Sequence, residues 1–130
     1  MILADSSVWI DYLTKRSTPQ VQRLIGLRSS SSFAVGDLIV TEVLQGIRSD
    51  AEFLRVKNDF MRFPVLSMVN IEAAVRAAEN YRHLRRMGIT VRSAIDCLIA
   101  TYCIDGGHQL LHSDHDFDPF EAHLGLSVVR

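Results

Sequence analysis

The sequence predicts an α/β domain built on a central, mostly parallel sheet of four to five strands, with helices covering both faces. Short apolar segments alternate with stretches of helical periodicity along the 130 residues, the pattern of strands joined by helical crossovers. Acidic residues Asp5, Glu42, Asp96, Asp114 and Asp116 stand where an apolar segment ends or a helix begins. The length suits one domain, residues 1–130, long enough to bury about two-thirds of the surface its unfolded chain exposes.

Ile2 to Asp5 is short and apolar and ends in Asp5-Ser6-Ser7, after which Val8, Trp9, Tyr12 and Leu13 recur at helical spacing, so a strand runs into a helix. Thr18-Pro19 opens a second helical stretch through Val21, Leu24, Ile25 and Arg28, with Pro19 suited to a first turn. Ser29 to Ser32 forms a polar loop. Phe33-Ala34-Val35 is the second strand, Gly36-Asp37 a turn and cap, and Leu38, Ile39, Val43, Leu44 and Ile47 an amphipathic helix carrying Glu42. Asp50 to Phe60 is another helix, and Phe63 to Leu66 a third strand. Asn70 caps a long helix from Ile71 to Met87, closed by Gly88. The next helix begins near Arg92 or Ser93 and runs to about Ile104, with Gly106-Gly107 after it. Gln109 to His112 is a fourth strand leading into Ser113-Asp114-His115-Asp116, and Leu126 to Val129 a fifth.

Hydrophobic residues make up 48% and charged residues 22%, which fits an ordinary globular chain. Apolar runs such as Leu38 to Val40 and Cys97 to Ala100 fall far short of the roughly 20 residues that span a bilayer, and the N-terminus has no signal-peptide pattern. Cys97 and Cys103, without zinc-site partners, read as reduced core thiols of a cytoplasmic protein. Fourteen Lys and Arg against fifteen Asp and Glu give a net charge of −1, so any nucleic-acid binding must come from local patches. Trp9 and Tyr12, at helical spacing, read as packing residues.

Each acid has a local explanation. Asp5 can cap the first helix; Ser93-Ala94-Ile95-Asp96 matches a capping box; Glu42 can be a polar-face residue; Asp114 and Asp116 sit in an Asp-rich turn. Together these explanations weaken, because Asp5 and Asp114 both follow strands, and in a parallel sheet that places them at one edge, where open α/β sheets bind ligands. Asp96 and Glu42, each near a helix start, can reach the same edge. Carboxylates converging within roughly 5 Å repel by about 3 kcal/mol per ionised pair at an effective dielectric near 20. A hard cation removes that penalty, and Mg²⁺, with Mn²⁺ as a substitute, suits oxygen ligands without Cys. His112 and His115 flank the acids and are assigned as ligands in neither case.

These residues resemble the PIN-domain ribonucleases, and within them the VapC-type toxins of toxin–antitoxin pairs. Three motifs carry the resemblance: Asp5-Ser6-Ser7-Val8-Trp9-Ile10-Asp11; Gly88-Ile89-Thr90-Val91-Arg92 through Asp96-Cys97-Leu98-Ile99-Ala100; and Leu110-Leu111-His112-Ser113-Asp114-His115-Asp116-Phe117, with Glu42 between the first and second. The resemblance implies a PIN-like three-layer α/β/α fold and a Mg²⁺-dependent endoribonuclease, the toxin of a VapBC-type pair, that cleaves RNA with a metal-activated water. It implies Asp5, Glu42, Asp96, Asp114 and Asp116 as catalytic acids, with Asp5, Asp96 and Asp114 on the metal and Ser6, or its neighbour Ser7, and Thr90 in support. Asp37 stands where relatives often carry a small hydroxyl residue, which leaves it between a cap and an outer acid. A cognate VapB-type antitoxin, a homodimer and a heterotetramer or larger complex with the antitoxin are further implications.

Arg82, Arg85, Arg86 and Arg92 are the best candidates for a basic rim that meets RNA phosphates, although cations at a helix end also complement its dipole. Lys15 and Arg16 are weaker candidates. Two other readings compete. An aspartyl-phosphate phosphatase of the haloacid-dehalogenase kind also places Asp after its first strand, but expects a second Asp where this chain has Ser7. A non-catalytic PIN-like RNA- or protein-binding module is disfavoured by the complete acidic set.

Overall fold

Ile2–Ala4 forms β1, and Asp5 ends it by capping α1, Ser6–Leu13, with its Oδ2 accepting the Ser7 N–H at 3.0 Å. In the computed structural model, which describes residues 1–130, the other elements follow in chain order. They are α2 Pro19–Leu27, β2 Val35–Gly36, α3 Asp37–Gln45, α4 Asp50–Phe60, β3 Val65–Leu66, α5 Ile71–Arg86, α6 Ala94–Gly106, β4 Gln109–Leu111, α7 Asp118–Leu124 and β5 Ser127–Val128.

Every strand pairing is parallel. Leu3 lies opposite Leu110 in β1–β4, Leu110 opposite Val128 in β4–β5, and Val35 opposite Val65 in β2–β3. A parallel bridge between Ile2 and Phe33 joins the two sets, with the Ile2 N–H donating to Ser32 O at 2.7 Å and the Ala34 N–H to Ile2 O at 3.0 Å. The order is therefore β3-β2-β1-β4-β5, and the chain reverses direction across the sheet between β1 and β4. That crevice, beyond the carboxyl ends of the strands, is the usual ligand position of open parallel sheets.

The strands are short but buried, as Leu3, Ala4, Val35, Leu110 and Leu111 are all 1% exposed or less. Burial on both sides is what a parallel sheet needs. The helices fall into two packed groups: α1 against α2 and α3 with α4 beyond, and α5 against α6 and α7. This is the three-layer α/β/α arrangement expected. α6 is apolar nearly all round, burying Cys97, Ile99, Ala100, Thr101 and Cys103, so it sits in the core. α5 is its polar cover, burying only Ala77, Asn80 and Leu84. A buried bond from Asn80 Nδ2 to Thr101 Oγ1 at 2.9 Å fixes the two helices in register.

Trp9 packs as expected. It is 3% exposed, and its ring meets Tyr12, Phe33, Phe60 and Phe63 at centroid distances of 5.0 to 6.2 Å, pinning α1 to the segment before β2 and to α4. Cys97 and Cys103 are buried, unpaired thiols; burial pushes Cys103 up to about 12, so it behaves as a small apolar residue.

The structure departs from expectation in α7 and in the second strand. Residues 118–124 form α7, where no element is expected from the sequence; Pro119 in its first turn and Gly125 at φ 79° after its end are its signals. The second strand is Val35–Gly36, with Phe33 contributing only the bridge. α1 ends in a pair of bonds, Arg16 N–H to Asp11 O at 2.8 Å and Lys15 N–H to Tyr12 O at 3.2 Å, around Lys15 at φ 61°. This is a Schellman closure with lysine at the left-handed position where glycine is usual. The Cβ clash there costs about 1 kcal/mol, so Lys15→Gly is expected to raise the melting temperature by about 3 °C. Thermal unfolding followed by circular dichroism measures it, and an unchanged or lower midpoint would count against strain at this residue. No helix is long and apolar enough to cross a membrane.

Candidate metal centre

Four segments deliver the acids to one place. Asp5 arrives at the end of β1, extended in the sheet by its N–H to Leu111 O at 2.8 Å. Glu42 comes from the second turn of α3, Asp96 from the first turn of α6, and Asp114 and Asp116 from the turn after β4. Carboxylate oxygens of Asp5, Glu42 and Asp96 lie within 4.8 Å of one another, and so do those of Asp96, Asp114 and Asp116. Asp96 belongs to both sets, so it is the centre of the cluster.

Capping accounts for part of this geometry and leaves the rest free. Asp5 caps α1 with Oδ2, while its Oδ1 is buried and has no hydrogen-bond partner. Asp114 caps the 3-10 turn His115–Phe117 by accepting the Asp116 N–H on Oδ1 at 2.9 Å. The capping box at α6 is only half formed. Ser93 Oγ accepts the Asp96 N–H at 3.2 Å, but the Asp96 carboxylate makes no return bond and turns into the cluster instead.

Two serines brace the site differently. Ser6 Oγ donates to Glu42 Oε1 at 3.2 Å and holds the α3 acid toward β1. Ser7 Oγ accepts the Ser113 N–H at 3.1 Å and ties the loop after β4 to the start of α1. Thr90, expected as a further support, is exposed and hydrogen-bonds to none of the acids. It lies in the α5–α6 loop, whose anchor is the buried neighbour Val91. Asp37 is structural: its Oδ1 accepts N–H groups of Leu38 at 2.8 Å and Met68 at 3.1 Å, fastening the start of α3 to the segment after β3.

The electrostatics are those of a cation site. Asp5 is 2% and Asp96 8% exposed. Burial raises the Asp96 carboxyl to about 7, with the charges of Asp5, Glu42, Asp114 and Asp116 adding to it. Burial likewise raises Asp5, against hydrogen bonds from Ser7 that favour its ionised form, and raises Glu42, with help from the Asp5 charge. At 4.8 Å each ionised pair repels by about 3 kcal/mol at an effective dielectric near 20. An unpartnered buried oxygen on Asp5, oxygen-only donors and no cationic side chain among them fit a divalent ion. His112 stays outside this set: its Nδ1 accepts the Asp114 N–H at 3.2 Å, and burial lowers its pKa so the ring is neutral. His115 is fully exposed and bonds to Asp118 at 2.9 Å.

Arg82, Arg85, Arg86 and Arg92 are exposed around the end of α5 and the loop to α6, and none is ion-paired with a carboxylate. Arg85 lies 5.7 Å above the Tyr81 ring.

Fold and site together define a three-layer α/β domain with an acidic crevice, suited to a cation, at the carboxyl edge of a parallel sheet. A family model described as "PIN domain" matches residues 2–121, and the chain belongs to the PIN domain family. It is 34% identical over 121 residues to the VapC ribonuclease Mb1587 of Mycobacterium bovis and to the ribonuclease VapC11 of Mycobacterium tuberculosis, alignments that cover 91% of this chain and 90% of each relative. The fold is similar to that of VapBC2 from Rickettsia felis, bound to a DNA fragment from its promoter, with a TM-score of 0.76 at 15% identity, covering 99% of this chain and 98% of that one. FitAcB from Neisseria gonorrhoeae gives 0.76 at 16% identity, covering 100% and 97%.

Proposed function

We propose that residues 1–130 act as one nuclease domain, a Mg²⁺-dependent endoribonuclease of the VapC type that cleaves cellular RNA in the cytoplasm. The observation that carries this reading is the convergence of five carboxylates from four segments, with a buried Asp5 oxygen left unpartnered. Asp5, Asp96 and Asp114 are the candidates to hold the ion; Mg²⁺ fits the all-oxygen set, and Mn²⁺ can replace it. Such an ion, when bound, polarises the scissile phosphate and makes a water more acidic.

The remaining work belongs to the chain. Glu42, steadied by Ser6 and with its carboxyl pKa raised by burial, or Asp116, accepts a proton from the attacking water. Arg82, Arg85, Arg86 and Arg92, exposed around the end of α5 and the loop to α6, are the candidates for phosphate contacts. By family likeness, the inhibitor is a VapB-type antitoxin, and the assembly a toxin homodimer that joins it in a heterotetramer or larger complex.

The test is RNA cleavage by purified, antitoxin-free protein. Cleavage is expected with Mg²⁺, is expected to stop with a chelator, and is expected to be lost in Asp5→Ala with the circular dichroism spectrum retained. Cleavage unaffected by chelation, or equal in Asp5→Ala, would overturn the reading.

A further inference from the structure

A polar trough of about 570 Å³ opens beside the acid cluster, sharing Asp114 with it, and this is the size of a small-ligand pocket. One wall is the turn after β4, with His112 and Ser113; the other is the link from α1 to α2 and the first turn of α2, with Arg16, Thr18 and Gln20. Of its 12 lining residues only 2 are hydrophobic, so it suits a ligand rich in hydrogen-bonding groups. The groove between α5 and α6 is the reverse case, with 7 of 8 hydrophobic. The trough's other acids are already matched: Asp11 by Arg16 at 3.5 Å and Asp118 by His115 at 2.9 Å. Arg130, also in its wall, is bonded to Glu121 at 2.7 Å.

We propose that this trough is the subsite for the nucleotide next to the scissile phosphate, with Arg16 meeting its phosphate and Gln20 its base. The assignment rests on the RNA-cleaving reading. A phosphodiester held at the acids continues in both directions along its strand. One direction crosses Asp114 into the trough, whose lining includes that residue. Arg16 is 71% exposed on its side chain and held by a single 3.5 Å contact, so exchanging Asp11 for a phosphate costs little. Thr18 and Gln20 supply hydrogen-bonding groups of the kind that read the edges of unstacked RNA bases.

The backbone beside Arg16 is fixed. The Schellman bonds around Lys15 fix the Arg16 main chain at the trough wall. Lysine occupies a position, φ 61°, that glycine would fill without strain.

The test uses single-stranded RNA carrying a 5′ fluorophore, titrated by anisotropy with the full chain in the cleavage-deficient Asp96→Asn background, with Mg²⁺ present. Arg16→Ala is expected to weaken binding about fivefold and to lower the slope of log Kd against log salt by about one. Arg55→Ala, an equally exposed cation on α4 outside the trough, is expected to change Kd less than about twofold. In the cleaving protein, Arg16→Ala is expected to raise KM while kcat holds, and Gln20→Ala to alter base preference at the position next to the cut. Arg16→Ala indistinguishable from Arg55→Ala in a protein that cleaves RNA would overturn the trough assignment alone. Failure of the unsubstituted protein to cleave RNA with any divalent metal would overturn the nuclease reading and this assignment with it.

Discussion

Asp96→Asn is expected to lower metal-dependent RNA cleavage by about 10³-fold, in line with loss of one preorganised electrostatic group, yet leave the metal-free protein more heat-stable than the wild type. Asp96 joins both sets of acids whose oxygens approach within 4.8 Å, so no neighbouring carboxylate can replace it. Its charge has one favourable local role, at the start of α6, where an acid is worth about 0.3–1 kcal/mol against the helix dipole. Each repulsion it suffers from an ionised neighbour is about 3 kcal/mol, so repulsion wins. Asparagine keeps the shape and the backbone N–H to Ser93 Oγ and removes the charge. Circular dichroism melts in chelator at a pH above 7, beside a cleavage assay, measure both halves. A variant that is less stable and still active would contradict the placement of Asp96 at the centre of the cluster.

The same residue shows where sequence reading reaches its limit. Ser93-x-x-Asp96 has the spacing of a reciprocal cap, and spacing fixes the main-chain bond, which forms; it does not fix the side-chain rotamer, which turns away. Asp5 is ambiguous in sequence because it does two jobs, one oxygen capping α1 and the other unpartnered in the cluster. The alternation of strands and helices was legible because periodicity is local, and the common edge of Asp5 and Asp114 followed from parallel pairing alone. What was not legible depended on distant contacts. Thr90 lies in a helix-start loop that matches the motif, yet the fold exposes it; Ser7 meets Ser113 across 106 residues; Arg16, a weaker candidate in sequence, lines a trough that three separated segments build. α7 was missed because a seven-residue helix follows an Asp-rich turn whose signals are those of a loop.

Added Mg²⁺ is expected to raise the melting temperature strongly at about pH 8 and little at about pH 5, because protons and the cation compete for the same carboxylates. In the metal-free fold Asp96 titrates at about 7, and Asp5 and Glu42 are also raised, burial being the first cause in each case. In the unfolded chain such groups titrate near 4. Below that range both states are protonated and the cluster carries no penalty. Between about pH 4 and 7 the folded cluster keeps protons that the unfolded chain has lost, so stability falls as pH rises, by up to about 1.4 kcal/mol per unit for each such group. This is opposite in sign to a carboxylate stabilised by a salt bridge. Above about pH 7 the full repulsion is present in chelator, and a bound divalent ion offsets it. The two arms, chelator and saturating Mg²⁺, share every other titrating group, so their difference isolates the cluster. In Asp96→Asn the carboxyl shared by both sets of acids is gone, and the gap between the arms is expected to shrink and flatten with pH. A gap independent of pH in the wild type would mean that the ion binds elsewhere.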